Sequence, residues 1–358
     1  MVARVARAFA PVVCVQYPVT GTVERKERRA TMDESLQDAR TGETPMHDNA
    51  VRAQDDPSHE GMHVSKNVAR LMMLVNAAVW GSGYTMLKHV QGVMTTQWMM
   101  FFRMAVSVVL MSLVFLPHLR KIRIKRYVVP GLVLALTYWL GFLFQLKGLE
   151  TTSPGRNSFF TDTYCVMVPF VIWALTRKRP SGQHIVAAFV CAFGIGLVSL
   201  SGGGAELAGL STGDVLTIIG ALFYAVNLVV VGMMGRKFDA VALMLAEFAW
   251  CAIFFGAGAV LFDGAPSASW MRVDVVLCLA YLVIGSTIIA QIFQTIAVQN
   301  LPATEGSVIL STECIFAMVI AVIFTGERLT VPSVCGFAVI FGAILLSEVQ
   351  LPGRRKAE

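Results

Sequence analysis

The chain has 358 residues, of which 56% are hydrophobic and only 15% are charged, with a formal net charge of +6. Its mean hydropathy of +0.65 argues against a soluble protein, because a soluble chain of this length could not cover so much apolar surface. The cations occur in short clusters between apolar runs, which is typical of membrane-protein loops, so we expect a lipid bilayer as partner and no nucleic acid.

Residues 1–65 form a segment unlike the rest of the chain, because they are polar, mix both charges and have no sustained apolar period. Such a segment buries too little apolar surface to fold, so we expect a disordered cytoplasmic tail. Met32, Met46 and Met62 are alternative candidates for the first residue of the gene product.

From Arg70 onward, apolar runs of membrane-spanning length follow one another with short turns between them. We predict ten transmembrane helices near residues 69–88, 97–116, 127–147, 155–176, 183–201, 212–234, 240–262, 273–296, 304–325 and 332–350.

The cations of the loops fall mainly on one side of this ten-helix zigzag. They follow the second, fourth and sixth helices and the last helix, as Arg120, Lys121, Arg123, Lys125, Arg126, Arg177, Lys178, Arg179, Arg236, Lys237, Arg354, Arg355 and Lys356. Positively charged loops stay in the cytoplasm. We therefore predict a multi-pass protein of the cell (inner or plasma) membrane, with both termini, including the tail 351–358, in the cytoplasm.

The stretch from Thr304 to Ser347 is an imperfect copy of a stretch about 149 residues earlier. The copies extend to repeats of five predicted helices each, residues 66–201 and 211–350. Because five is an odd number, the second repeat must enter the membrane upside down. The sequence thus predicts an all-α membrane protein of two inverted five-helix repeats, an architecture that lets one site at the midplane face either side in turn.

Four segments carry a resemblance to a known family: VWGSGYTMLK at 79–88, FFRMAVSVVL at 101–110, GLETTSPGRNSFFTDTYCVMVPFVIWAL at 148–175 and ECIFAMVIAVIFTGERLT at 313–330. They resemble the EamA repeats of the drug/metabolite transporter superfamily, and the likeness covers residues 66–350. The resemblance implies a ten-helix transporter of small metabolites, often an exporter, with a polar cavity between the repeats.

The chain departs from the pattern of that family in two places. Residues 177–179 are Arg-Lys-Arg where members usually have Gly-Glu-Arg, and Cys314 follows Glu313 where members often have proline. Because Pro169 is present in the fourth helix but has no counterpart in the ninth, we expect any helix bending to be unequal in the two repeats.

Arg103 and Glu247 are ionisable residues at equivalent places in the two repeats, inside predicted helices. An ionisable group costs on the order of 3 kcal/mol to insert, so it should face the bundle interior. We expect the two to pair across the repeat interface as a structural lock. The alternative is that Arg103 binds an anionic substrate group, or that the pair breaks during transport.

Asp162 and Glu313 are two further ionisable residues within apolar runs, one turn apart in repeat register. A carboxylate in an apolar site suits proton coupling, which makes the proton a candidate coupling ion, or binding of a substrate ammonium group. The alternative is a polar contact that only holds helices together.

Aromatic and amide side chains accompany these charges on several predicted helices. Trp80 and Tyr84 share one face of the first helix, and we expect that face to line the pathway with Tyr138, Trp139 and Gln145 of the third helix and Gln291 and Gln294 of the eighth. The candidate substrate-binding or coupling residues are Trp80, Tyr84, Arg103, Tyr138, Gln145, Asp162, Glu247, Gln294 and Glu313.

Two strings look like enzyme motifs. Residues 59–63, HEGMH, match HExxH but contain glycine and lie in the polar tail, and residues 209–213, GLSTG, match GxSxG but lie between helices, where Ser211 or Thr212 should cap a helix. No P-loop is present. We therefore expect no enzyme, metal or cofactor.

The functional prediction is a secondary transporter, in the direction of export, of a small metabolite, amino acid or drug-like compound by alternating access. The alternative is a membrane scaffold, or a lipid- or partner-binding protein, that transports nothing. Flux across a sealed membrane distinguishes the two.

Overall fold

The computed structural model describes residues 64–177, 179–199, 210–234, 238–266, 268–301 and 303–349. Residues 1–63, which include the HEGMH string, the tail 351–358 and the cations at 178, 236 and 237 lie outside the described residues. Within those ranges the secondary structure is helical and includes no strand. The predicted all-α fold class is confirmed at that level.

The helices are labelled here α1 to α10 in chain order, with broken helices divided into a and b. Their bounds are α1 Lys66–Gln91, α2 Thr96–Val114, α3 Val128–Thr151, α4a Pro154–Asp162, α4b Tyr164–Thr176, α5 Gly182–Ser199, α6 Thr212–Met234, α7 Ala240–Gly258, α8 Val273–Ala280 continuing through a π-helical segment Tyr281–Ile289 into Ala290–Asn300, α9a Ala303–Leu310, α9b Glu313–Thr325 and α10 Val331–Glu348. A second π-helical turn, Ala259–Asp263, extends α7.

Several helices are long and apolar enough to cross a membrane. In the described part of the chain seven meet both requirements: Thr96–Val114, Ile124–Thr151, Pro154–Thr176, Thr212–Val231, Val241–Asp263, Val308–Thr325 and Val331–Glu348. Two shorter apolar helices, Gly182–Val198 and Val273–Ile289, accompany them. The chain is a multi-pass membrane protein, and the number of ten spans stays a prediction.

Equivalent helices of the two repeats run antiparallel against each other. At one end of α2 the Trp98 indole N–H donates to the Gly264 carbonyl at 2.9 Å, and just beyond its other end His118 lies 2.9 Å from Asp239, the N-cap of α7. Because α2 and α7 are the second helices of their repeats, this contact is the one that an inverted repeat produces.

Both α4 and α9 break near the middle, at equivalent positions. In each break a threonine hydroxyl donates to the carbonyl three residues earlier at 2.6 Å, Thr163 to Phe160 and Thr312 to Ile309. This side-chain bond competes with the helical ladder and ends the first half-helix. The breaks occur in both repeats and not at Pro169, and the expectation of unequal bending stays a prediction.

Helix α3 packs closely along α6, with glycines at the points of contact. A Cβ atom on Gly213 would lie 2.6 Å from the Gly148 carbonyl oxygen, and one on Gly220 would lie 2.8 Å from the Gly141 carbonyl oxygen. Only residues without a side chain allow two helix backbones to approach so closely. The α3–α6 pair forms one wall of the central cavity.

The segment that resembles a nucleophile elbow is a helix cap. The Ser211 hydroxyl accepts from the Asp214 backbone N–H at 3.1 Å, and the Asp214 carboxylate accepts from the Ser211 N–H at 2.8 Å. This reciprocal pair is a capping box that starts α6. The prediction that Ser211 caps a helix is confirmed.

Candidate substrate-binding cavity

A cavity of about 310 Å³ lies among helices of both repeats. Its walls come from α1, α2, α3, α4, α6, α7, α8 and α9. All nine candidate residues predicted from the sequence line it: Trp80, Tyr84, Arg103, Tyr138, Gln145, Asp162, Glu247, Gln294 and Glu313. Residues from eight helices are thus brought to one enclosure, which has space for a small molecule.

Arg103 is held in the cavity wall by α8. Its side chain is buried, and its Nε–H donates to the Thr287 hydroxyl at 3.1 Å while an Nη2–H donates to the Ser286 hydroxyl at 3.4 Å. The guanidinium also lies 5.5 Å from the centre of the Phe142 ring. Neutral groups therefore hold the cation, and its charge remains available to an anionic group in the cavity.

Glu247 does not pair with Arg103, so the predicted lock between the repeats is wrong. The Glu247 carboxylate accepts instead from the Asn227 amide at 2.9 Å. The π-helical segment of α8 carries Ser286 and Thr287 to the guanidinium, where their hydroxyls accept two of its five N–H groups. Both charged residues line the same cavity without neutralising each other.

Asp162 and Glu313 stand at the two helix breaks. Asp162 is the last residue of α4a, and its carboxylate lies against the backbone N–H and the thiol of Cys314 in the first turn of α9b. A helix N-terminus carries partial positive charge, so it favours a carboxylate there. The other oxygen, Oδ2, is buried and has no hydrogen-bond partner among the described residues. Asp162 itself lines the cavity.

Glu313 begins α9b and lies beside the Tyr84 hydroxyl of α1. Gly81 brings the two helices together, because a Cβ atom there would lie 2.6 Å from the Glu313 carbonyl oxygen and 2.8 Å from the Ala317 nitrogen. The neighbouring Trp80 donates its indole N–H to the Ser286 carbonyl at 2.8 Å. The WGS stretch thus docks α1 on both α9b and α8 at the cavity.

A hydrogen-bonded chain covers the wall between α3, α4a and α6. The Tyr224 hydroxyl donates to the side-chain oxygen Oε1 of Gln145 at 2.6 Å, and the side-chain NH2 of Gln145 donates to the Thr161 hydroxyl at 3.2 Å. Tyr138 packs edge-on against Phe142, with ring centres 4.8 Å apart. These groups give the cavity polar and aromatic faces side by side.

The lining of the cavity differs from the one that the sequence predicts in several residues. Trp139 does not line the cavity but packs on Phe254 and Phe255 of α7, with ring centres 5.4 and 6.4 Å away. Gln291 lines the cavity as expected. The polar and aromatic lining residues that the sequence did not indicate are Phe142, Thr161, Tyr164, Tyr224, Asn227, Phe248, Ser286 and Thr287. Asn227, an isolated amide in the apolar run VNLVVV, carried the clearest signal.

Comparison with known proteins gives a consistent picture. The model of the family described as "EamA-like transporter family" matches the chain twice, over residues 67–200 and 211–348. A protein named "Uncharacterized transporter" from Archaeoglobus fulgidus is 27% identical over 291 residues, which are 79% of this chain and 87% of that protein. A second protein of the same name and organism is 25% identical over 189 residues, or 52% of this chain and 64% of its own length.

A solved structure shares the fold. It is described only as a crystal structure of a protein, and it aligns with a TM-score of 0.53 at 16% identity, covering 79% of this chain and 96% of the other. At this identity the likeness concerns the fold alone.

Proposed function

This chain belongs to the EamA-like transporter family and is a membrane transporter, not an enzyme; from that premise we propose that it moves a small zwitterionic or amphipathic metabolite by alternating access. In this proposal residues 66–201 and 211–350 are inverted five-helix repeats, giving ten spans, and residues 1–65 and 351–358 are cytoplasmic tails of a cell-membrane exporter. Neither ATP nor a cofactor takes part.

The observation that carries the proposal is the distribution of charge around one cavity. Arg103 presents a cation, whereas Asp162 and Glu313 present carboxylates at the helix breaks, and all three line the same enclosure. Sites of secondary transporters lie at such broken helices near the membrane midplane. A zwitterion fits this arrangement, with its anionic group at Arg103 and its ammonium group at the carboxylates.

The two carboxylates have a second possible role as carriers of a coupling proton. A group that binds the substrate ammonium and a group that carries a proton differ in what their loss changes. Neutralising an ammonium-binding carboxylate raises the KM for substrate, whereas neutralising a proton carrier removes the dependence of flux on the pH gradient. Asp162→Asn and Glu313→Gln separate these roles for each residue.

Flux through the purified full-length protein in sealed vesicles tests the proposal. The probe is a labelled amino acid mixture, offered with and without a pH gradient. We expect flux by the wild type, at least a ~10-fold loss of kcat/KM in Arg103→Gln because a buried charge contact is lost, and little change in the control Glu150→Gln, whose carboxylate is exposed outside the cavity.

A wild-type protein that binds amino acids yet moves none across the vesicle membrane would contradict the transporter mechanism and support the scaffold alternative. Flux that is unchanged, in rate and in pH dependence, in Asp162→Asn and Glu313→Gln would remove both carboxylates from the mechanism. Flux of apolar cations in place of amino acids would replace the zwitterion with a cationic substrate.

A further inference from the structure

The cavity differs in exposure between its two ends. Helix α6 is about 35 Å long at 1.5 Å per residue and runs from Asp214, near its start, to Val231, near its finish. Lining residues on the Asp214 side, such as Gln145 and Thr161, are buried, whereas Val231 and Met244 on the opposite side are partly exposed. The partly exposed lining residues Val231 and Met244 thus lie at the end away from Asp214, and we take the described conformation as closed at the Asp214 end.

An ion pair between the repeats lies at the closed end. The Arg156 guanidinium of α4a donates two hydrogen bonds to the Asp214 carboxylate of α6, at 2.7 and 2.6 Å. The Asp214 side chain is fully buried and that of Arg156 is 18% exposed. A bidentate pair with so little solvent access fixes both distance and orientation between the two helices.

Glu327 makes a second connection at the same end. Its carboxylate accepts from the Gly155 backbone N–H at 3.1 Å and from the Ser153 hydroxyl, so the turn after α9b caps the N-terminus of α4a. Gly326, with φ +66°, provides the left-handed turn that directs Glu327 there. The Gly-Glu-Arg turn of the second repeat is thus hydrogen-bonded to the N-terminus of α4a in the first repeat.

The opposite end has a related pair with the charges exchanged. Glu305 occupies the position in the second repeat that Arg156 occupies in the first, about 149 residues earlier. Arg70 and Asp214 are likewise equivalent, about 144 residues apart. The same offset relates Arg103 to Glu247. The Arg70 Nε contacts a single Glu305 oxygen, and the two side chains are 49% and 32% exposed. Exposed pairs are weak because water screens them.

We propose that Arg156, Asp214 and Glu327 form the gate that closes this end of the pathway, and that Arg70 and Glu305 belong to the equivalent gate at the other end. The inference rests on the proposed alternating access. The buried gate must separate for the cavity to open toward Ser153, and it favours the conformation described here. The position of each pair between helices of different repeats makes it sensitive to that movement.

Accessibility of the cavity to a thiol reagent tests the gate without a known substrate. The full-length protein, with its cysteines replaced, carries Gly83→Cys as a reporter, because Gly83 lines the cavity and a Cβ atom there meets its nearest neighbour at 3.6 Å. A membrane-impermeant maleimide is added to right-side-out or to inverted vesicles. We expect fast labelling from the Val231 face and slow labelling from the Ser153 face.

Loss of the gate should change one side only. Asp214→Asn and the milder Glu327→Gln should each increase labelling from the Ser153 face by about 10-fold or more, because each removes a contact that holds that end closed. Arg70→Gln, the matched control at the other end, should leave labelling from the Ser153 face unchanged.

Equal labelling from both faces of the reporter protein, or no increase in either gate variant, would overturn the proposal. An increase in Asp214→Asn alone would remove Glu327 from the gate. The labelling experiment measures the accessibility of the cavity and needs no substrate. An absence of substrate flux would therefore contradict the proposed function without changing what the labelling shows about the gate.

Discussion

The two repeats are alike where their long helices break and different where those helices end. At the breaks, Thr163 and Thr312 make the same hydroxyl-to-carbonyl bond and place a carboxylate at the cavity. At the ends, Arg177 and Gly326 share a left-handed backbone, with φ of +62° and +66°, but only the second turn supplies the capping carboxylate of Glu327.

This contrast separates two physical requirements. A cavity that faces both sides in turn needs matching chemistry in both repeats, so the breaks agree. The contacts that hold each end closed set the relative stability of the two conformations, and these can differ without damage to the site. Divergence at the ends therefore favours one conformation, and substitutions at equivalent positions should have unequal effects.

The largest difference should come from the two charge pairs. Asp214→Ala leaves the Arg156 guanidinium mostly buried without its carboxylate, so we expect a loss of about 3 to 5 kcal/mol of stability. The counterpart Glu305→Ala, in an exposed pair, should cost less than about 1 kcal/mol. Unfolding of the purified variants in mixed micelles measures both, and equal losses would remove the difference between the ends.

Equivalent glycines of α5 and α10 give an intermediate effect. A Cβ atom on Gly194 would lie 2.9 Å from the Ile340 backbone nitrogen, whereas one on Gly342 meets nothing within 4 Å. We expect Gly194→Ala to destabilise by roughly 1 to 3 kcal/mol through overpacking, and Gly342→Ala to be neutral or to stabilise by about 0.5 to 1 kcal/mol. A larger loss in Gly342→Ala, in the same unfolding assay, would show that the α5–α10 contact is described wrongly.

The smallest effect should come from the left-handed turns themselves. Arg177 adopts φ +62°, which costs a residue with a Cβ atom roughly 1 to 2 kcal/mol, so Arg177→Gly should stabilise by up to that amount. Gly326→Ala at φ +66° should destabilise by a similar amount. The midpoint of thermal unfolding reports the sign of each change, and a destabilised Arg177→Gly would mean that the arginine side chain makes a contact worth more than the strain.

Much of the cavity could be predicted from the sequence because charges are rare in apolar helices. Arg103, Asp162, Glu247 and Glu313 are conspicuous there, and burial in lipid is too costly for them to face any side but the interior. Their partners could not be predicted. Arg103 donates hydrogen bonds to Ser286 and Thr287, which lie in a π-helical segment. The spacing of residues in the sequence does not predict such a segment.

The face of a helix on which a side chain lies was also predictable only where several residues indicated the same face. Tyr138 and Trp139 are adjacent in sequence and so point about 100° apart, which places one in the cavity and the other against α7. The ion pairs at the helix ends escaped sequence analysis for another reason. Arg156 and Asp214 lie at the edges of apolar runs, where charges are normally solvated.

Side-specific labelling of two equivalent loops tests the inverted repeat most directly. Lys121 lies after α2 and Ala265 lies after α7, and both residues are exposed. Each is replaced by cysteine in a separate variant. If the repeats are inverted, an impermeant thiol reagent labels Lys121→Cys only from one face of the membrane and Ala265→Cys only from the other. Labelling of both from the same face would contradict the inverted repeat and the alternating access built on it.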